Sequence, residues 1–301
     1  MAASSALAAG LLALVSSAPG GPGTLEHLAP ATLQPHGAHV RAPDSSLGFA
    51  WARHGATLAL VAKPVATGQP IRIVDVRTLR TRRVLPIGDR DVCGLTFDGR
   101  DLVALTANQP CYWAKGRFAL VRYDSDSWRV RQTVAAPGLR SVFPTNLAFG
   151  DGHAFVARAG AGVDEVDLRT GAVVRRHPRR SLAKGEGIVL ARWLGRHQLG
   201  IGPAVIDVRT WRARVYDSSA VGIAPAGGDL AAYGPRGVAL FTRVGAPLYR
   251  LLAQNDVRVA HVVGRYLYAA DDGLAHVIDL TTRGELPTSG DPNVVSSLLA
   301  P

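Results

Sequence analysis

Five polar residues stand beside short apolar runs, and their chemistry could serve a ligand. They are Asp91 before VCGL, Asn146 before LAF, Glu186 before GIVLARW, and Arg258 and His261 in VRVAHVV. Carboxylate and amide oxygens such as those of Asp91, Asn146 and Glu186 suit Ca²⁺ or Mg²⁺. The sequence contains no GxSxG, HExxH, Walker loop or GxGxxG after a strand. We therefore assign no catalytic residue and no metal ligand, and we expect no cofactor.

Two cysteines, Cys93 and Cys111, could pair. Residues 93–107 resemble a hairpin that turns at Asp98-Gly99, and Cys111 lies just past its end. We predict a disulfide that closes a loop of 18 residues, worth about 3 kcal/mol in the chain-entropy description. The alternative is a pair of buried thiols in a cytosolic protein. Two cysteines without a paired CxxC do not make a zinc site.

An apolar run over residues 6–15 is followed by small residues. Its length is typical of a secretory signal, although no Lys or Arg precedes it, and it is too short to span a bilayer comfortably. We expect residues 1–23 to be a signal peptide cleaved near Ala18, or otherwise a disordered tail, with one domain over residues 24–301. A secretory leader and a disulfide are both typical of exported proteins, so we expect a secreted or extracytoplasmic protein. It would be cytoplasmic if residues 1–23 are not a signal.

The net charge is +11, and nearly all the basic residues are arginine. Either the arginines simply cover solvent-facing strands, or an Arg-rich rim weakly attracts an anionic surface. Aromatic residues make up 6% of the chain, and no nucleic-acid-binding module is visible. We therefore expect no specific nucleic-acid binding.

A pattern of four short strands recurs along the chain. An Asp ends the third strand of each copy at intervals of 35 to 49 residues, with Thr242 in one degenerate copy. The Asp positions are Asp75, Asp124, Asp167, Asp207 and Asp279. Second strands such as TLALVA and DLVALT are continuously apolar, whereas fourth strands such as WRVRQTV carry arginine. A buried inner sheet with a charged outer edge predicts an all-β propeller of four-stranded blades.

Six copies cover residues 46–287, and the two chain ends amount to about one more. We favour seven blades, with residues 294–299 inside and residues 38–42 on the rim of a blade that the two termini share. The alternative is six blades with disordered ends.

The repeats FVARAGAGVDEVDLRTG and YAADDGLAHVIDLTTRG resemble those of YVTN-type bacterial propellers, and more loosely quinoprotein and WD40-like repeats. The resemblance spans residues 46–287. The Trp-Asp pair of true WD40 repeats is absent, as is the regular Trp of the repeats in PQQ-dependent enzymes. The resemblance therefore implies an architecture more than an activity.

Propellers place ligands at their central channel, which is where the resemblance directs attention among the five polar residues. We expect a non-catalytic, exported binding or scaffold module for an unknown protein or small-molecule ligand, without a transmembrane segment and monomeric. The alternative is a channel-site enzyme such as a metal-dependent, lactonase-like hydrolase. Asp91, Asn146 and Glu186 match the metal-binding residues of such enzymes by residue type alone.

Overall fold

Antiparallel sheets arranged in a ring make up the computed structural model, which describes residues 11–16, 23–41, 49–62, 68–113, 116–142, 144–158, 162–178, 190–288, 295 and 298–299. The sheets form seven blades, so the predicted seven-bladed β-propeller is confirmed. The described residues include one 3₁₀ helix, Pro144–Asn146, just before a blade begins. Within the described residues, no helix is long and apolar enough to cross a membrane.

Six blades follow one another along the chain. Blade 1 contains Phe49–His54, Thr57–Ala62, Ile71–Asp75 and Thr81–Leu85. Blade 2 contains Asp91–Asp98, Asp101–Ala107, Phe118–Tyr123 and Val130–Ala135. Blade 3 contains Leu147–Gly150, His153–Arg158, Gly162–Asp167 and Val173–His177. Blade 4 contains Ala191–Gly195, Gln198–Ile201, Ala204–Asp207 and Arg212–Val215. Blade 5 contains Gly222–Ala226, Asp229–Gly234, Gly237–Phe241 and Pro247–Leu251. Blade 6 contains Val259–Val263, Tyr266–Ala270, Ala275–Asp279 and Gly284–Leu286.

The first strand of each blade lies at the centre of the ring, because first strands of neighbouring blades contact one another. Second and third strands are almost fully buried, and fourth strands are exposed, as in Thr81–Leu85 and Arg212–Val215. We call the end of the ring where first strands begin the upper face. It also carries the loops that join second to third strands. The lower face carries the tight turns within each blade.

Both ends of the chain build the seventh blade, here called the closing blade. Leu11–Ser16 pairs with Gly23–Leu28, which pairs with Pro35–Arg41. On the inner side, the Leu299 N–H donates to the Leu12 carbonyl at 2.8 Å, and Ala13 bridges to Leu298. Residues 298–299 therefore lie innermost in this blade, and the three N-terminal strands extend from them to the rim.

Alternating side chains of Leu11–Ser16 bury the closing blade against both neighbours. Leu11 and Ala13 pack in a cluster with residues of blade 6, and Leu12 and Leu14 pack with residues of blade 1. Successive side chains of a strand point to opposite faces, so one apolar strand serves both interfaces.

This strand lies inside the predicted leader, residues 1–23. Residues 1–10 and 17–22 lie outside the described part of the chain, so the structure does not test cleavage near Ala18. Retention of Leu11–Ser16 in the mature closing blade is the prediction that competes with this cleavage. The structural consequence of cleavage is definite, because cleavage there would remove Leu11–Ser16 and leave the inner segment without its partner strand.

The repeated aspartates close turns on the lower face. Oδ1 of Asp167 accepts from the N–H groups of Arg169 at 2.9 Å and Thr170 at 2.7 Å. The same contact to the residue two positions later recurs at Asp75, Asp124, Asp207 and Asp279. Each such Asp carbonyl also accepts from a residue with positive φ four positions on, for example Gly171 at 2.9 Å. These aspartates are turn residues of separate blades.

The arginines of the fourth strands are spread around the rim rather than gathered on one face. They include Arg82, Arg83, Arg131, Arg175, Arg176, Arg212, Arg214 and Arg250, from blades 1 to 5. Charge along exposed outer strands opposes edge-to-edge pairing of sheets from different molecules.

A glycine sets the spacing between blades 3 and 4. The indole of Trp193 stacks on Phe155 with ring centroids 5.7 Å apart. Gly150 lies against that indole, and a Cβ at Gly150 would collide with it. The absence of a side chain at Gly150 therefore lets the aromatic pair form the interface.

We predict that Gly150→Ala destabilises the protein by about 1–3 kcal/mol, the usual cost of overpacking a filled core. Gly228→Ala is the matched control, because nothing lies within 4 Å of a Cβ there and its φ is not positive. The control should change the free energy of unfolding by less than about 0.5 kcal/mol. Equal effects of the two substitutions in urea unfolding would contradict the packing described here.

Candidate binding face and channel

A disulfide anchors one loop of the upper face. Cys93, in the first strand of blade 2, is bonded to Cys111, with Cα atoms 5.4 Å apart. Both cysteines are fully buried in a cluster with Leu139, Val142 and Leu147. The predicted disulfide is therefore confirmed. It joins the loop between the second and third strands of blade 2 to the wall of the channel.

Hydrogen bonds fix the same loop from several sides. The Cys111 N–H donates to Oδ2 of Asp91 at 3.0 Å, and the Cys111 carbonyl accepts from the Val142 N–H at 2.7 Å. The Ser141 hydroxyl donates to the carbonyl of Tyr112 at 2.8 Å. The loop backbone is thus held by a covalent bond, a carboxylate and the next interblade loop.

Two aromatic side chains project from this fixed backbone. Tyr112 is 49% exposed and Trp113 is 50% exposed, and their rings meet edge to face with centroids 6.4 Å apart. Tyr and Trp are enriched among the residues that dominate protein–protein binding energy. Their exposure on a rigid loop makes this pair the clearest candidate contact of the upper face.

The structure describes four of the five polar residues predicted from the sequence. Asp91 holds the Cys111 N–H, and Asn146 is buried at the end of the 3₁₀ helix before blade 3. Arg258 is exposed and pairs with Asp272 and Asp256 on the upper face. His261 lies in the first strand of blade 6, and Glu186 lies outside the described residues. Among the described residues, no group of three or more His, Cys, Asp or Glu side chains could hold a metal ion.

His261 meets a residue that the sequence analysis did not select. Arg192, in the first strand of blade 4, donates from Nη2 to Nδ1 of His261 at 3.0 Å. It also donates from Nη1 to the Ala260 carbonyl at 3.1 Å. Burial, and then the charge of Arg192, lower the pKa of His261 to about 3. The imidazole is therefore neutral near pH 7. In the sequence, the feature that could have pointed to Arg192 is its position as an arginine inside an otherwise apolar first strand.

A pocket of about 160 Å³ lies among the first strands of blades 1 to 3. Its lining comprises Ala50, Trp51, Cys93, Gly94, Leu95, Leu147 and Phe149. These residues come from the first strands of blades 1, 2 and 3, so the pocket and the Arg192–His261 pair belong to different sectors of the ring.

A buried histidine ties the upper face to blade 6. His276 contacts Oε1 of Glu285 through Nδ1 at 2.6 Å and Oδ2 of Asp271 through Nε2 at 3.2 Å. Asn255, from the preceding interblade loop, donates to the same Asp271 oxygen at 2.7 Å. Burial opposes protonation of His276, but hydrogen bonds to Glu285 and Asp271 outweigh it and raise its pKa. With a carboxylate at each ring nitrogen, the imidazolium form is favoured.

Solved structures share this fold at low sequence identity. BamB from Moraxella catarrhalis is 15% identical with a TM-score of 0.50, covering 92% of this chain and 86% of that chain. The computationally designed Ika8 protein is 16% identical with a TM-score of 0.54, covering 78% and 72%. A chain of the mitotic checkpoint complex is 13% identical with a TM-score of 0.50, covering 76% and 72%. No protein-family model and no curated protein matches the chain. The neighbours support the WD40-like β-propeller resemblance at the level of fold.

We predict that the Cys93→Ala/Cys111→Ala variant loses about 3 kcal/mol of stability, because its unfolded chain is no longer cross-linked. Reductant should lower the thermal midpoint of the wild type towards that of the variant. The same reductant on the variant is the control and should change nothing. A wild-type midpoint that is insensitive to reductant under conditions where the free thiols are detected would contradict the prediction.

We predict that His276 contributes stability at mildly acidic pH that is lost at alkaline pH. Its folded pKa is raised, so the contribution is complete below the unfolded pKa of about 6.5 and disappears as pH rises through the folded value. Urea unfolding at about pH 6 and pH 9 should show a smaller stability difference in His276→Gln than in the wild type. An identical difference in the two proteins would contradict the assignment.

Proposed function

We propose that this protein is a non-catalytic, extracytoplasmic propeller that binds a protein partner on its upper face. The observation that carries the proposal is the half-exposed pair Tyr112 and Trp113 on a loop fixed by the Cys93–Cys111 disulfide. Large aromatic side chains give much contact area for few rotatable bonds. A backbone that is already ordered removes part of the entropic cost of binding.

The position of the pair favours a protein over a small molecule as its partner. Tyr112 and Trp113 stand on the outer surface of the loop, whereas the pocket at Gly94 and Leu147 lies among the first strands. Two further exposed apolar residues, Val221 and Leu274, lie in upper-face loops of other blades. A partner that covers the upper mouth could contact both regions at once.

The disulfide supports a site of action outside the cytoplasm, since such bonds persist in oxidising compartments. We propose the periplasm, cell surface or external medium as that compartment. The arginines along the outer strands oppose pairing between copies, so we propose that the protein acts as a monomer. The hydrolase alternative gains no support from the described residues, because the carboxylate of Asp91 is engaged with the Cys111 N–H.

A photoreactive phenylalanine analogue at position 113 tests the proposal in cells of the source organism. We expect one discrete cross-linked protein adduct. The matched control places the same analogue at Val244, which is 74% exposed in a lower-face turn of blade 5. Tyr112→Ser should remove the adduct from position 113 while changing stability by less than about 0.5 kcal/mol. Identical adducts from both positions, or none from position 113, would overturn the proposal.

A further inference from the structure

Six first strands place one residue each at the same level of the channel. Each of these residues pairs with the third residue of its own second strand. In blade order they are Ala52, Thr96, Ala148, Arg192, Ala224 and His261. Four are small, and the two large polar residues are the ones that contact each other. Arg192 and His261 are therefore the two large side chains at this level of the six blades.

The side chain of Arg192 reaches past blade 5 to contact His261 in blade 6. Its two contacts, the Ala260 carbonyl and Nδ1 of His261, both belong to blade 6. Because a guanidinium only donates hydrogen bonds, Nδ1 of His261 accepts, and the proton of the neutral imidazole is on Nε2. Both partners of the guanidinium are thus uncharged.

The charge of Arg192 has no carboxylate beside it in the described part of the chain. Burial lowers the pKa of Arg192, and an electrostatic interaction with Tyr233 opposes that shift. A partly buried cation without a counter-charge is costly, and an anion that binds beside it recovers part of that cost. Guanidinium groups bind carboxylate and phosphate oxygens through two parallel hydrogen bonds.

A second hydrogen-bond donor lies nearby. Tyr233, from the second strand of blade 5, extends its hydroxyl to the first strand at Gly222, where a Cβ would collide with it. Burial raises the pKa of Tyr233, and the charge of Arg192 opposes that rise, so the hydroxyl stays protonated near pH 7. The first strand of blade 5 has no side chain at Gly222 and only a methyl group at Ala224.

We propose that the channel binds a small carboxylate or phosphate anion at Arg192, with the Tyr233 hydroxyl as a second donor. The site lies in the sector of blades 4 to 6, away from Tyr112 and Trp113, and does not depend on a partner at the upper face.

Calorimetric titration with inorganic phosphate and, separately, with benzoate at low salt tests the site and distinguishes the two anion classes. We expect the wild type to bind at least one of them. Arg192→Met should weaken that binding by about tenfold or more, as expected for losing a hydrogen bond to a charged group. Tyr233→Phe should weaken it several-fold. Arg140→Met, an exposed upper-face arginine, is the control and should bind as the wild type does.

The NMR titration of the His261 ring in the wild type gives a second measurement, which stands even if Arg192→Met fails to fold. Without an added anion, the ring should titrate near its depressed pKa of about 3. A bound anion offsets the charge of Arg192, so the pKa of His261 should rise when phosphate is present, because phosphate, unlike benzoate, keeps a negative charge near pH 3. Absence of binding in the wild type, or binding equally strong in Arg192→Met, would overturn the proposal. An unchanged His261 pKa at saturating phosphate would also overturn it.

Discussion

The ring depends on the backbone contact between the two ends of the chain. The Leu299 N–H to Leu12 carbonyl bond and the Ala13–Leu298 bridge join the innermost segment of the closing blade to its second strand. No covalent bond closes the circle. The apolar side chains of Leu11–Ser16 that face blades 6 and 1 therefore have to hold both neighbours in place. Burial on both faces of one strand supplies that closure.

Closure matters for function because the binding features belong to different blades. Arg192 and His261 are 69 residues apart in sequence and meet only because blades 4 and 6 stand two places apart in a closed ring. Likewise, the Cys111 loop is braced by the interblade loop at Ser141 and Val142, whose position depends on how blade 3 packs on blade 2. A fixed ring thus supplies preorganised loops and a channel of defined lining.

Much of this architecture could be predicted from local patterns. The repeated Asp turns, the apolar second strands and the Arg-rich fourth strands indicate four-stranded blades. The Asp predicted to end the third strand is the last residue of that strand at Asp75, Asp167, Asp207 and Asp279, and it directly follows the strand at Asp124. The disulfide could also be predicted, because a hairpin brings its end back beside its start. These features depend on residues that are close in sequence or repeated.

The remaining features depend on distant contacts. The segment LLALVS has the composition of a leader as well as of a second strand, and its place beside residues 298–299 in the closing blade depends on contacts between the two ends of the chain. The contact between Arg192 and His261 could be recognised only after the strand register placed both residues at equivalent positions of their blades. Asp91, Asn146 and Glu186 were chosen by residue type. Residue type does not say that Asp91 faces the Cys111 N–H rather than a shared point in the channel.

Mass spectrometry of the mature protein, followed by hydrogen exchange of the intact chain, tests the shared closing blade most directly. The account predicts that the mature chain retains residues 11–16. It also predicts that their amides exchange as slowly as those of Thr57–Ala62, the second strand of blade 1, because both strands are buried and hydrogen-bonded on two sides. A mature chain that begins after Ala18, or amides at residues 11–16 that exchange as fast as exposed loops, would contradict it.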